Sequence, residues 1–216
     1  MSNDYITDKV YEEQRMPTVK AILASTMGMA NRPATKEEDQ IFATDIVAAD
    51  GTRIGCRVRR AKYWENEDWR RQFTIRWDRE SGAVTEFEKV VEQGKGDMLF
   101  YGFGKDEKSL DIPYWNLLSL DVFRKEIAKH EMMIMIRATS VADDLPPEWG
   151  AVDPGDLIPQ FYPEVVGIPK PNPNRIKAYL ENNNDSTSFL AFYLDAFPKE
   201  LVIKTSGGFE IEQEEL

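Results

Sequence analysis

Apolar residues near the N-terminus recur at helical spacing: Ile6, Val10, Val19, Ile22, Leu23 and Met27. That periodicity predicts helix over the first thirty residues, with Pro17 marking a break or the start of a second helix. Thr35 and Glu38 then stand in capping-box spacing, which predicts a short helix from about Lys36. Asp50-Gly51 follows, a strong hairpin signal, between the apolar runs "TDIVAA" and "TRIGCRVRR". In the second run Ile54, Cys56 and Val58 share one face, and Arg53, Arg57 and Arg59 share the other.

Alternation continues downstream. "RQFTIRW" sets Phe73, Ile75 and Trp77 against Thr74 and Arg76, and "GAVTEFEKV" sets Val84, Glu86 and Glu88 against Thr85, Phe87 and Lys89. With "GDMLFYGFG" and the short links "RESG" and "EQGKG", these runs predict an antiparallel meander. "IPYWNLLSLD" adds a strand, and Asp121 is placed to cap the helix "VFRKEIAKHE". "MMIMI" reads equally as a buried strand or a continuation of that helix. "PNPNRIKAYLENNN" predicts a short helix, while "STSFLAFYL" and "ELVIK" predict late strands.

The predicted class is α+β, with a mostly antiparallel central sheet flanked by helices. Two parts are distinguished along the chain. Residues 1–144 form a helix-then-sheet core. Residues 145–216 carry a Pro-rich crossover, late strands that return to the same core, and the acidic tail "FEIEQEEL"; eight of the twelve prolines fall between Pro146 and Pro173.

Composition narrows the chemistry. At 216 residues and 42% hydrophobic the chain is long and apolar enough for a core. No apolar run reaches membrane-spanning length, and the N-terminus has no basic-then-apolar leader, so a soluble cytoplasmic protein without a membrane partner is expected. Cys56 is the only cysteine and His130 the only histidine. Thiolate and histidine-rich metal sites are thereby excluded, and carboxylates are left as ligands for a divalent metal. His130 reads as a residue packed near a helix C-terminus, and Asp97 as closing the Gly94–Gly96 turn. Net charge is −11, yet Arg53 to Arg79 hold nine basic residues against four acids. Arg53, Arg57, Arg59, Arg60, Arg70, Arg71 and Arg76 are thus candidates for phosphate contact, with Trp64, Trp69 and Trp77 able to stack on bases. Pairing of these arginines with acids on neighbouring strands explains them equally well.

The order "ATD", "RIGCRVRR", "FTIR", "TEFEK", "GDMLFYG" and "NNDSTSF" resembles divergent phage and prophage members of the PD-(D/E)XK restriction-endonuclease-like superfamily, over roughly residues 35 to 195. The resemblance implies a restriction-endonuclease-like core and Mg2+-dependent phosphodiester cleavage of DNA or RNA. In such a centre an acid on one strand and an acid-x-lysine pair on the next hold the cation. Asp45 stands where the first acid belongs, but its partner strand offers Arg57-Val58-Arg59, and a guanidinium cannot ligate a cation. The alternative centre is Glu86, Glu88 and Lys89, with Asp45 or Asp78 as the remaining acid and Glu38 in support. Asp45, Glu86 and Glu88 are then the Mg2+ ligands. Gln72 stands where an active relative would carry an acid, so a live and a degenerate nuclease are both open. The rival class is a non-catalytic, phage-encoded inhibitor of a host defence complex, binding a host protein or ribonucleoprotein in the bacterial cytoplasm. A virion or assembly component is a third.

Overall fold

The computed structural model describes residues 3–28, 30–65, 67–79, 81–136, 175–183 and 187–206. Two sheets organise it. The first has six strands, in the order β1 (Asn31–Pro33), β2 (Ile46–Ala48), β3 (Arg53–Arg59), β5 (Met98–Phe103), β6 (Tyr114–Ser119) and β10 (Val202–Thr205). The second has four, in the order β4 (Gln72–Arg79), β9 (Thr187–Tyr193), β8 (Arg175–Asn183) and β7 (Glu131–Ile136). Most pairings are antiparallel; β3 with β5 and β7 with β8 are parallel. The mixed α+β class and the mostly antiparallel pairing are as the sequence predicts.

The period-2 pattern of the first sheet feeds two cores. Ile54, Val58, Phe100 and Leu117 face the long helix α1 (Asn3–Met27), which contributes Tyr11, Val19 and Leu23. Leu99, Tyr101, Phe103 and Leu118 point the other way. They meet Phe73, Ile75, Leu190 and Phe192 of the second sheet and Phe123 of α5 (Leu120–Lys129).

Several local signals hold. Thr35 and Glu38 form the complete capping box of α2 (Lys36–Phe42). Asp50-Gly51 closes the β2–β3 hairpin, with Gly51 at φ 91° and the Asp50 carboxylate accepting from the Thr52 N–H. "MMIMI" lies in strand β7, and His130 caps the end of α5, its Nε2 3.3 Å from Glu126.

Other expectations are corrected. Helix α1 runs unbroken through Pro17, because Pro17 lies on the exposed face and the lost backbone bond costs no buried donor. The predicted meander does not form. β3 and β5 are parallel neighbours, and the chain between them passes through α3 (Ala61–Trp64) and α4 (Glu67–Arg70) and sends β4 to the second sheet. "TEFEKVV" is helical, ending in a wide π-type turn over Glu88–Glu92. "RIKAYLENN" is strand β8, where pairing on both sides outweighs its helical propensity. Ser119 caps α5, and Asp121 instead pairs with Lys125 at 2.6 Å. The Pro-rich segment 145–174 and the tail 207–216 lie outside the described residues. No described helix is long and apolar enough to cross a membrane.

Candidate functional site

The edge of β3 organises the acids. β2 pairs with β3 only at Ile46–Ile54 and Val47–Arg53, so the Cys56 and Val58 N–H groups lie beyond the reach of that strand. Two carboxylates take them. Asp45 Oδ2 accepts from the Cys56 N–H at 2.7 Å, and Glu12 Oε1, from α1, accepts from the Val58 N–H at 3.2 Å. Burial pushes Glu12 up to about 7; Arg57 opposes the shift, and the negative charges of Asp45 and Glu86 add to it. Burial likewise pushes Asp45 up to about 6 against the pull of its hydrogen bond from Cys56, with Asp39 and Glu86 raising it further. The Cys56 thiol is raised well above its ordinary value by the same burial and by both acids, so it is a poor nucleophile.

Arg57 is the cation among these acids. Its Nη2 lies 2.9 Å from Glu86 Oε2, with the two side chains only 15% and 18% exposed. The same oxygen accepts from the Arg76 N–H at 3.1 Å, so Glu86 ties β3 to β4. The guanidinium also lies 4.8 Å from the Phe189 ring centroid.

Asp45 and Glu86 are thus brought within electrostatic reach of one another, while Glu88 is not brought to them. On a helix, positions two apart point to nearly opposite sides, so Glu86 and Glu88 do not project together as they would on a strand. Glu88 instead turns back on its own helix start. Its Oε2 accepts from the Thr85 N–H at 2.5 Å and its N–H donates to Thr85 Oγ1 at 3.2 Å, which holds its carboxyl below the usual range. Lys89 reaches the Asp39 carbonyl at 3.5 Å. Glu38 is gripped by Arg32 through two 2.7 Å bonds, which with the Thr35 N–H lower it to about 2. Asp97 Oδ2 accepts from the Arg53 N–H at 2.7 Å and so joins β5 to β3. As arranged, Glu86 is held by Arg57 and the Arg76 N–H, Asp45 by the Cys56 N–H, and Glu88 by Thr85 at its own helix start. Among the described residues, no group of three or more His, Cys, Asp or Glu is set to hold a metal ion.

The arginines on β3 look inward, toward the space between the sheets. Arg59 Nη1 donates to Thr74 Oγ1 at 3.3 Å, and its guanidinium covers Tyr63. Arg53 covers Phe42, Arg60 pairs with Glu107 at 3.0 Å, and Arg71 pairs with Asp195. Arg70 lies against Trp64, and Arg76 against Phe189. The tryptophans have ring partners of their own: Trp64 stacks on Tyr114, Trp69 meets Tyr63, and Trp77 meets Phe87 edge-on.

Sequence reasoning missed Glu12 and Arg15, yet both leave a trace. Glu12 is seven and eleven residues before the fully buried Val19 and Leu23, hence on their face of the helix. Arg15, four before Val19, is fully buried and donates to the Asp106 and Ser109 carbonyls, pinning the loop between β5 and β6 to α1. A charged residue in phase with a buried stripe was the available signal. No protein-family model, curated protein or solved structure matches the chain.

Proposed function

We propose that this chain is a non-catalytic binding protein on a restriction-endonuclease-like scaffold, acting as an inhibitor of a host defence complex. Its partner is a protein or ribonucleoprotein with a basic, nucleic-acid-binding groove. The observation behind this reading is the Arg57–Glu86 pair, 2.9 Å apart and tied to the Arg76 N–H. It supplies a built-in cation to Glu86, within electrostatic reach of Asp45. The arginines that would otherwise face phosphate are engaged within the fold, which leaves the −11 net charge to set the outer field.

Two measurements test it together. Incubation with plasmid, single-stranded DNA and single-stranded RNA in Mg2+ or Mn2+ is expected to leave all three intact. The immobilised chain is expected to retain a basic groove-bearing host protein that competitor DNA or raised salt displaces. Metal-dependent cleavage that disappears in Asp45→Ala would overturn the reading.

The second reading is Mg2+-dependent phosphodiester cleavage of DNA or RNA. It is favoured by the two raised acids Glu12 and Asp45, which lie within electrostatic reach of Arg57 and Glu86, because perturbed acids cluster at catalytic sites. It requires the Arg57 guanidinium to give way to the metal. Arg57→Ala would then raise metal affinity; on the first reading it only destabilises the fold.

A further inference from the structure

Lys95 stands between two glycines in the left-handed region, Gly94 at φ 65° and Gly96 at φ 72°. A side chain on either would be strained there, so the turn fixes where the residue between them points its backbone. That backbone is tied on both sides. The Lys95 N–H donates to the Lys89 carbonyl at 2.8 Å, and Arg124 Nη1 donates to the Lys95 and Gly96 carbonyls at 3.2 and 3.0 Å. From this turn the Lys95 ammonium reaches the ring of Phe42, at the end of α2, 5.1 Å from its centroid. Arg53, from the start of β3, lies over the same ring at 4.0 Å.

Two cations about one ring repel each other, and among the described residues neither makes an ion pair. A ring face attracts a cation by about 0.5–1 kcal/mol at exposed sites but leaves its charge intact. The carbonyl end of α2, which adjoins Gly96, attracts both heads and likewise neutralises neither. Asp97, just after the turn, has one carboxylate oxygen on the Arg53 N–H at 2.7 Å and makes no ion pair with either head. Arg124, the third cation, is bound through Nη1 to carbonyls alone. Phe42, Arg53, Lys95 and Arg124 are all half-buried, so solvent screens these charges only in part. In a chain of net charge −11, cations gathered in this way without a paired acid call for an anion from outside. Its chemistry follows from the donors. A guanidinium fork and an ammonium disposed about one ring are reached together only by an anion that offers several oxygens, and phosphate groups match both heads. A water carries no charge, and a halide meets one head at a time.

We infer that Arg53 and Lys95, with Arg124 holding the turn, form a binding site for adjacent phosphate groups, such as those of a diphosphate or of a nucleic-acid strand. Lys95 and Arg124 enter neither reading of the acid cluster, so this site stands apart from both.

The test is calorimetric titration of the intact chain at low salt, with inorganic diphosphate and separately with a single-stranded RNA oligonucleotide. At least one probe is expected to bind, and the tighter of the two identifies the source of the phosphates. Arg53→Gln and Lys95→Gln are each expected to weaken that binding about tenfold, the value of one charged hydrogen-bonding partner. Lys204→Gln makes the same change of net charge on β10, at the far edge of the sheet, and is expected to leave binding unchanged. Should Arg53→Gln fail to fold, Lys95→Gln decides. Failure of both probes to bind, binding that a folded Arg53→Gln or Lys95→Gln leaves unchanged, or equal weakening by Lys204→Gln would each overturn the inference.

Discussion

At the scale of single residues, Glu86 and Glu12 have opposite consequences for stability. Glu86 is a paired, mostly buried acid that also satisfies the Arg76 N–H. Glu86→Ala leaves Arg57 as an uncompensated charge between the sheets and an orphaned backbone donor beside it. The expected loss is about 3–5 kcal/mol in urea unfolding; Glu86→Gln, which keeps an acceptor, is expected to lose about half of that. A change within experimental error for Glu86→Ala would show that the pair is not held as described. Glu12 is a buried acid held above its ordinary value of 4.5, at about 7, and Asp45 sits at about 6 against 3.8. For both, the folded state holds its proton more tightly than the unfolded chain does. Their stabilising contribution is complete below the unfolded values and is lost as pH rises through about 6 to 7. Stability is therefore expected to fall between about pH 4 and 7, the reverse of what lowered acids such as Glu38 produce at more acidic pH. Glu12→Gln keeps an oxygen for the Val58 N–H while removing the charge. It is expected to flatten that slope and to stabilise the fold at pH 8 by about 1–3 kcal/mol. Chemical denaturation across pH checks both points, and a wild-type slope in the variant would remove Glu12 as its source.

At the scale of elements, what the sequence revealed depended on whether the local signal and the tertiary demand agreed. The α2 capping box and the Asp50-Gly51 hairpin are self-contained: the residues that specify them are the residues that bond. "TEFEKVV" is different. Its alternation of Val84, Glu86 and Glu88 against Thr85, Phe87 and Lys89 fits a strand over six residues, but Thr85 and Glu88 also stand in capping-box spacing, and the reciprocal bonds form. Phe87 and Val90, three apart, then share the buried side as a helix requires. The misreading mattered for the site, because strand geometry would have put Glu86 and Glu88 side by side. Thr85→Ala removes the acceptor for the Glu88 N–H and is expected to cost about 0.5–2 kcal/mol. It is also expected to loosen the Arg57–Glu86 pair, visible as faster amide exchange at Arg76. Strand β8 was hidden for the opposite reason: Arg175–Asn183 pairs back on the nearby β9 but also lies beside the distant β7, and its own residues carry a helical propensity that these pairings override. The parallel β3–β5 pairing was out of reach in the same way, since nothing near Arg59 announces that the following strand will join another sheet.

For the whole molecule, the question is whether two sheets make one folding unit. The core between them is shared: Leu99, Tyr101 and Leu118 of the first sheet pack in one cluster with Phe73, Ile75 and Phe192 of the second. Phe123 of α5 adds edge-on contacts to Phe73 and Phe192 at ring-centroid distances of 5.5 and 5.1 Å. Glu86 adds a polar link at the rim. A sheet released from this cluster would expose one face of large apolar side chains at about 25 cal/mol for each Å2 of apolar surface. That penalty exceeds what either sheet could recover by loosening alone. The first sheet has a second core against α1, with Val19, Leu23, Ile54 and Phe100 fully or almost fully buried, and the second has no comparable support among the described residues. The α1 core does not make the first sheet independent, because Leu99, Tyr101, Phe103 and Leu118 on its other face belong to the shared cluster, so loss of that cluster should unfold both sheets. Native-state amide exchange in low denaturant tests this. The slowest amides of β4 and β9 are expected to exchange with the same free energy and denaturant slope as those of β5, the signature of global opening. In Phe192→Ala, where truncation in this cluster costs about 3–5 kcal/mol, both sets are expected to fall together. If β9 instead exchanged at a lower free energy and with a smaller slope than β5, the sheets would be separate units. The Arg57–Glu86 link would then be holding together parts that fold independently.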